Sequence, residues 1–170
     1  MIEKLDIKEF DAVFSIMERS FPKEEYRPYA AQKALLHNPS YAIYVAKAEN
    51  RIVGFAAVWE LDSWLFLEHL AVAPECRNDG IGSKLLAFFA KNRSCLEVEP
   101  PKTELSCRRV GFYQRNGYHF NDYFYEQPSL GEGRVPVPLY IMTSGSAITS
   151  EEFAQLKDLL YSRVYGQTKQ

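Results

Sequence analysis

Two glycines one residue apart, Gly80 and Gly82, follow an arginine in the segment Arg77-Asn78-Asp79-Gly80-Ile81-Gly82-Ser83. The stretch before them, from Trp64 to Val72, is nearly all apolar and stops at Pro74, which reads as a buried strand. After them Ile81, Leu85, Phe88 and Phe89 recur at helical spacing, so the turn opens a helix. The first amides of a helix have no partner inside it and lie at the positive end of its dipole. Residues without a Cβ let an oxyanion approach them closely. A cation just ahead, Arg77, is disfavoured by that dipole unless something negative lies between. A phosphate or pyrophosphate meets both conditions, whereas an ordinary strand-to-helix turn capped by Asp79 requires neither. The strand holds a second anomaly, Glu68. Burying a carboxylate is costly unless it is paired, and burial raises its pKa toward values useful for a general base, so a salt bridge and a proton-accepting role both remain open.

The glycine spacing lacks the third glycine of a dinucleotide fingerprint and the Lys-Ser/Thr pair of a P-loop. The whole string from Val72 to Leu86 resembles the acetyl-CoA-binding segment of the GNAT superfamily of N-acetyltransferases, with Arg77, Gly80 and Gly82 on its Arg/Gln-x-x-Gly-x-Gly/Ala core. Asn78 stands where many members have Gly, and Asn tolerates a left-handed backbone better than most residues. Further on, Gly111-Phe112-Tyr113-Gln114-Arg115-Asn116-Gly117-Tyr118 resembles the Phe-Tyr-x-x-x-Gly-Phe/Tyr segment of the same superfamily. Both segments, in order and separated by a strand, are far more specific than either.

The resemblance implies acetyl-CoA as acetyl donor and no metal. It implies that Arg77, Asn78, Asp79, Gly80, Ile81, Gly82 and Ser83 hold the pyrophosphate, while the strand edge at Leu70, Ala71 and Val72 bonds the pantetheine arm. Tyr113 would protonate the departing thiolate, in keeping with a phenol of pKa about 10 beside a thiolate whose acid lies near about 8.5. Glu68, nine residues before Arg77, would relieve the acceptor amine of a proton through water. Ser20-Phe21-Pro22 with Glu24-Glu25 resembles an entrance segment of several branches, which assigns Phe21, Glu24, Glu25 and Tyr26 to acceptor binding. Ser106 and Arg109 depart from the Asn and Ala that many members carry.

The elements that must position these residues follow from periodicity and punctuation. Ile2, Leu5 and Ile7 suggest a short first strand, and Phe10, Val13, Phe14 and Met17 the inner face of a helix ending near Ser20. A second helix is expected from Tyr29 to His37, stopped by Asn38-Pro39. Tyr41 to Ala48, Arg51 to Leu61 and the Trp64 strand form a meander. Cys95 to Val98 alternates Leu96 and Val98 with Glu97 and Glu99. A helix from Glu104 to Asn116 then ends at Gly117, and Tyr118 to Tyr125 returns as a strand. Gln127 to Val135 reads as a loop and Pro136 to Met142 as the last strand. Thr149 and Glu152 have capping-box spacing at the head of an amphipathic helix running to about Val164.

The fold expected is α/β, a GNAT-like twisted, mostly antiparallel mixed sheet flanked by helices, with an extra C-terminal helix. All of it falls in one domain over 1–170, where the segment 136–165 either completes the domain or extends it for dimerisation. A net charge of −2 gives no basic surface for nucleic acid or an anionic membrane. Three cysteines without metal or disulfide spacing, and no signal-peptide core or membrane-length apolar run, lead us to expect a reduced, cytoplasmic setting. Glu24, Glu25, Glu60, Glu68, Glu97 and Glu99 near the acceptor side favour a cationic amine of a small molecule or peptide. Two alternatives stay open: acetylation of protein N-termini or lysines across an open groove, and a non-catalytic acyl-CoA-binding module of the same fold. Monomer and homodimer are equally compatible with the sequence.

Overall fold

The computed structural model describes residues 1–167, so the last three residues of the expected 1–170 domain lie outside the described residues. Seven strands form one sheet: β1 (Ile2–Lys4), β2 (Tyr41–Ala48), β3 (Arg51–Leu61), β4 (Trp64–Val72), β5 (Ser94–Val98), β6 (Tyr118–Gln127) and β7 (Val137–Ser144). Their order is β1-β2-β3-β4-β5-β7-β6, and every neighbouring pair is antiparallel except β4 with β5. Five helices cover it: α1 (Phe10–Ser20), α2 (Tyr29–Ala34), α3 (Ile81–Phe88), α4 (Glu104–Arg115) and α5 (Ser150–Arg163).

The alternation of strand residues sorts the core into two layers. On one face Phe10, Val13 and Met17 of α1 and Phe153, Leu156 and Leu160 of α5 pack against Phe55, Phe66, Cys95 and Ile141. On the other, Leu85 and Leu86 of α3 and Val110 of α4 pack against Val58, Leu67, Leu96 and Met142. Thr103 and Thr149 close capping boxes at the heads of α4 and α5, with Ser106 and Glu152 as their reciprocal partners. Ser106 is thus spent on its own helix terminus.

Four expectations need correction. The first strand stops at Lys4, because Asp6 caps a 3-10 turn at Ile7–Glu9, although the Leu5 amide still donates to the Ile43 carbonyl at 2.8 Å. The second helix is α-helical only to Ala34 and tightens into a 3-10 turn at Leu35–His37. The β6–β7 ladder runs further at both ends than the sequence shows, pairing Gln127 with Val137 and Tyr118 with Ser144. Phe88, expected in the core, is 49% exposed while Leu86 is buried, since the face of so short a helix that meets the sheet is set by Leu85, Leu86 and Phe89. The Phe88 ring lies across Tyr44 instead, with centroids 5.3 Å apart.

Candidate active site

At the head of α3 a row of backbone donors is left bare. Gly80 is the N-cap with φ +74°, a left-handed conformation suited to glycine, and no side chain caps the helix, so the exposed Asp79 does not serve as N-cap. The amides of Ile81, Gly82 and Ser83 have no acceptor among the described residues. Asn78 is also left-handed, at φ +72°. A Cβ on Gly82 would come within 3.1 Å of the Phe112 ring, so this glycine lets α3 and α4 close together. Arg77 is exposed, and its Nε donates to the Val72 carbonyl at 3.3 Å, which holds the cation beside the turn.

The preceding strand is also open on one side. β4 stays paired with β3 as far as Val72, but it meets β5 only at Leu65, Phe66 and Leu67. Leu70, Ala71 and Val72 therefore present a free edge, suited to the amides of a pantetheine arm, next to free helical amides suited to a diphosphate. Both features fit coenzyme A. Gly80→Ala tests the turn: a Cβ there would meet nothing within 4 Å, so the cost lies in holding Ala at φ +74°. A left-handed residue costs about 1–2 kcal/mol, and calorimetry should show coenzyme A binding weakened by about tenfold or more.

The fork between β4 and β5 is where the titratable groups gather. Its last rung joins Leu67 to Leu96, so Glu68 and Glu97 are the first residues beyond it on either side. Glu68 has no partner across β3, because the register runs from Val58↔Leu67 directly to Ala57↔His69. This bulge bends the strand at the fork. The Glu68 carboxylate is buried and fully engaged: Arg27 Nη1 donates to Oε2 at 2.7 Å and Trp59 Nε1 to Oε1 at 2.7 Å. Burial pushes its pKa up, but Arg27 and the hydrogen bonds outweigh that and hold it below the ordinary carboxylate value. The raised pKa expected of Glu68 is not found. The salt bridge, the alternative its position left open, is what the geometry supports.

His69 is buried beside it and its pKa is lowered, chiefly by burial, so the neutral ring donates Nε2–H to the Glu25 carbonyl at 2.6 Å. Phe21 packs edge-on against this ring at 5.0 Å. The Glu24 carbonyl accepts from Gln127 at 3.0 Å and the Tyr26 carbonyl from Arg134 at 2.6 Å, which fixes the turn at Lys23–Glu25 over the fork. Glu25 is thereby held half-buried, and burial together with Glu99 lifts its pKa to about 7. Phe21 and the Glu25 backbone therefore meet at the His69 ring, and Glu24 is held beside them through its carbonyl. Tyr26 turns its ring to Phe14 at 5.7 Å and to the Arg134 guanidinium.

Glu97 is the residue whose importance the sequence left hidden. It is half-buried, receives the Tyr165 hydroxyl at 2.7 and 2.9 Å from its two oxygens, and is pushed up to about 8 by burial and by Glu68 and Glu25. In the sequence it is one of the six glutamates singled out on the acceptor side; what distinguishes it is the register of β5. Tyr113 lies on the opposite face of the sheet, in the second half of α4, with its ring 5.2 Å from Phe112 and 6.0 Å from Tyr118. Burial raises its pKa above the usual phenol value, and Tyr118 adds to this. The carboxylates thus lie at the fork on the α1 and α5 side, while Tyr113 belongs to the core layer on the other side of the sheet.

Among the described residues, no group of three or more His, Cys, Asp or Glu could hold a metal ion, and no helix is long and apolar enough to cross a membrane. Comparison with known proteins agrees with the geometry. The family described as "Acetyltransferase (GNAT) domain" matches residues 39–120, which include both β4 and the turn before α3 as well as Tyr113. "Putative acetyltransferase YjbC" of Bacillus subtilis is 29% identical over 150 residues, covering 85% of this chain and 77% of that protein. A solved "Putative acetyltransferase from GNAT family" of Bacteroides thetaiotaomicron superposes with a TM-score of 0.86 at 27% identity, covering 99% of both chains. An aminoglycoside 6'-N-acetyltransferase complexed with coenzyme A shares the fold, with a TM-score of 0.62 at 18% identity over 85% of this chain and 96% of that one. With its open fork and its uncapped glycine turn, the chain carries a stretch over residues 39–120 that matches the GNAT acetyltransferase domain, and over most of its length it is similar to proteins named as putative acetyltransferases.

Proposed function

We propose that this enzyme transfers acetyl to a primary amine of a small molecule or peptide by direct attack, with the amine entering on the α1 and α5 face and Glu97 accepting its proton. The observation that carries the reading is the pair of half-buried carboxylates at the fork, Glu25 and Glu97, with pKa values near 7 and 8. A primary ammonium of pKa about 10 must lose a proton before it attacks, and a base that titrates near the working pH removes it best. Glu68, kept ionised by Arg27, adds negative charge that favours a cationic acceptor without accepting a proton itself. When bound, acetyl-CoA supplies an acetyl thioester. The turn amides and the β4 edge hold the coenzyme, and the Tyr113 hydroxyl donates toward the sulfur. Three free cysteines fit a reduced, cytoplasmic setting, which we also propose.

The test is thiol release from acetyl-CoA with a panel of amines, on wild type and Glu97→Gln. We expect turnover with cationic amines and a loss of about 10²-fold or more in the variant. Binding of acetyl-CoA without thiol release on any amine would point to a non-catalytic module. In wild type, kcat/KM should rise with pH through apparent values between about 7 and about 8, which belong to Glu25 and Glu97 jointly because the two interact.

Stability should move the other way. Glu97 binds its proton more tightly in the fold than an ordinary glutamate of pKa 4.5 does, so the fold loses stability as pH rises from about 4.5 to about 8. Glu97→Gln has no proton to lose, and its Tm should exceed that of wild type at pH 8 while matching it near pH 5.

A further inference from the structure

We propose that Tyr165, just beyond α5, is a positioning residue for Glu97 and makes the C-terminal helix part of the acceptor site, an inference that rests on the proton-accepting role given to Glu97 above. A phenol has one proton to give, and at 2.7 and 2.9 Å the Tyr165 hydroxyl straddles both carboxylate oxygens. That fixes the rotation of the carboxylate and leaves the remaining lone pairs for an incoming N–H.

The tyrosine is delivered by a rigid support. Phe153, Leu156, Leu160 and Val164 of α5 and its C-cap are buried against the sheet. The Tyr165 amide donates to the Leu160 carbonyl at 3.2 Å, and the Gln167 amide to the Tyr161 carbonyl at 2.7 Å, so the chain past the helix is folded back over β5. Arg163 is within 3.4 Å of Asp62, at the turn before β4, which pins the same end of the helix across the sheet. A hydroxyl aimed in this way loses little freedom when it bonds.

The groups facing Glu97 come from four directions. Tyr165 from beyond α5 donates to it and Tyr125 stands near it on β6, its buried hydroxyl without a hydrogen-bond partner among the described residues, and both favour its charged form. Glu68 from β4 and Glu25 from the turn after α1 oppose it. Removing the Tyr165 hydroxyl takes away a donor to the anion and leaves both opposing carboxylates in place. Tyr165→Phe should therefore move Glu97 ionisation to higher pH by about one unit, a roughly tenfold change.

The readout is independent of catalysis: 13C NMR titration of glutamate-labelled full-length protein, with the Glu97 signal assigned by its loss in Glu97→Gln. Tyr165→Phe should shift that titration upward. 3,5-Difluorotyrosine at position 165, a stronger donor of the same shape, should shift it downward. An unmoved titration in both proteins would overturn the inference. The kcat/KM profile, taken on whichever amine turns over, should move with the NMR titration. If the titration moves and the rate profile does not, the role of Glu97 as base fails, while the Tyr165 contact stands as structural, which overturns the placement of α5 in the acceptor site.

Discussion

Tyr113→Phe should lower kcat for acetyl transfer by about 10²–10³-fold and leave coenzyme A affinity within about twofold. The substitution keeps the ring, and hence its packing on Phe112 and Tyr118, so it separates the hydroxyl from the aromatic body. Burial raises the pKa of this phenol, with Tyr118 adding and Arg109 opposing. Taken alone, that would make Tyr113 a poor acid for a thiolate. In the proposed reaction, however, the sulfur leaves beside this phenol, where the desolvation that disfavours phenolate would disfavour thiolate too. Cys95, a buried thiol of this very chain, shows the direction, since burial pushes it far above the ordinary thiol value. The two acids are therefore raised together, and a hydrogen bond that strengthens as charge gathers on sulfur lowers the barrier. Because the phenol keeps its proton throughout the neutral range, the rate should show no falling limb up to about pH 9. Stopped-flow thiol detection with parallel calorimetry checks both halves. An unchanged kcat would mean that solvent protonates the sulfur.

How much of this was legible in the sequence depends on the range of the interaction involved. The turn at Asn78 to Ser83 was readable because its requirements are local: a left-handed N-cap, no capping side chain and a glycine where α3 meets Phe112. The boundaries of β2, β3 and β4 were likewise readable from turn residues such as Glu49-Asn50 and Asp62-Ser63. The fork was implied only by the family resemblance, because nothing in either strand says that pairing ends at Leu67 and Leu96. Glu68 could be singled out as a carboxylate in an apolar strand, yet its fate turns on Arg27, 41 residues earlier, and on Trp59 across a bulge. Glu97 shows the limit more sharply. Its neighbours in the sequence mark it as half of an alternating strand, whereas its chemistry is set by Tyr165, 68 residues later.

Arg27→Ala should destabilise the fold by about 3–5 kcal/mol at pH 7, since removing one partner of a buried pair leaves the other charged and unpaired. Arg27 is 8% exposed and Glu68 9%, so water cannot easily take the place of the lost guanidinium. The pH dependence identifies the cause. In wild type the folded Glu68 titrates below the ordinary glutamate value of 4.5, so the pair's contribution is present above that pH and fades as pH falls through the folded value. In Arg27→Ala burial acts with only His69 and Trp59 against it, Glu68 should titrate higher in the fold than when unfolded, and the penalty is relieved as acid protonates it. The stability gap between the two proteins should therefore be widest near pH 8 and narrow steadily toward pH 4, as urea melts at several pH values will show. The double variant Arg27→Met/Glu68→Gln removes both charges, keeps an acceptor for Trp59 Nε1, and should recover most of the loss. This variant also decides between the two glutamates at the fork. If Glu97 accepts the proton, the double variant keeps turnover within about tenfold, the deficit reflecting weaker attraction of a cationic amine. Turnover as low as in Glu97→Gln, from a protein that folds as well as wild type, would return the base role to Glu68.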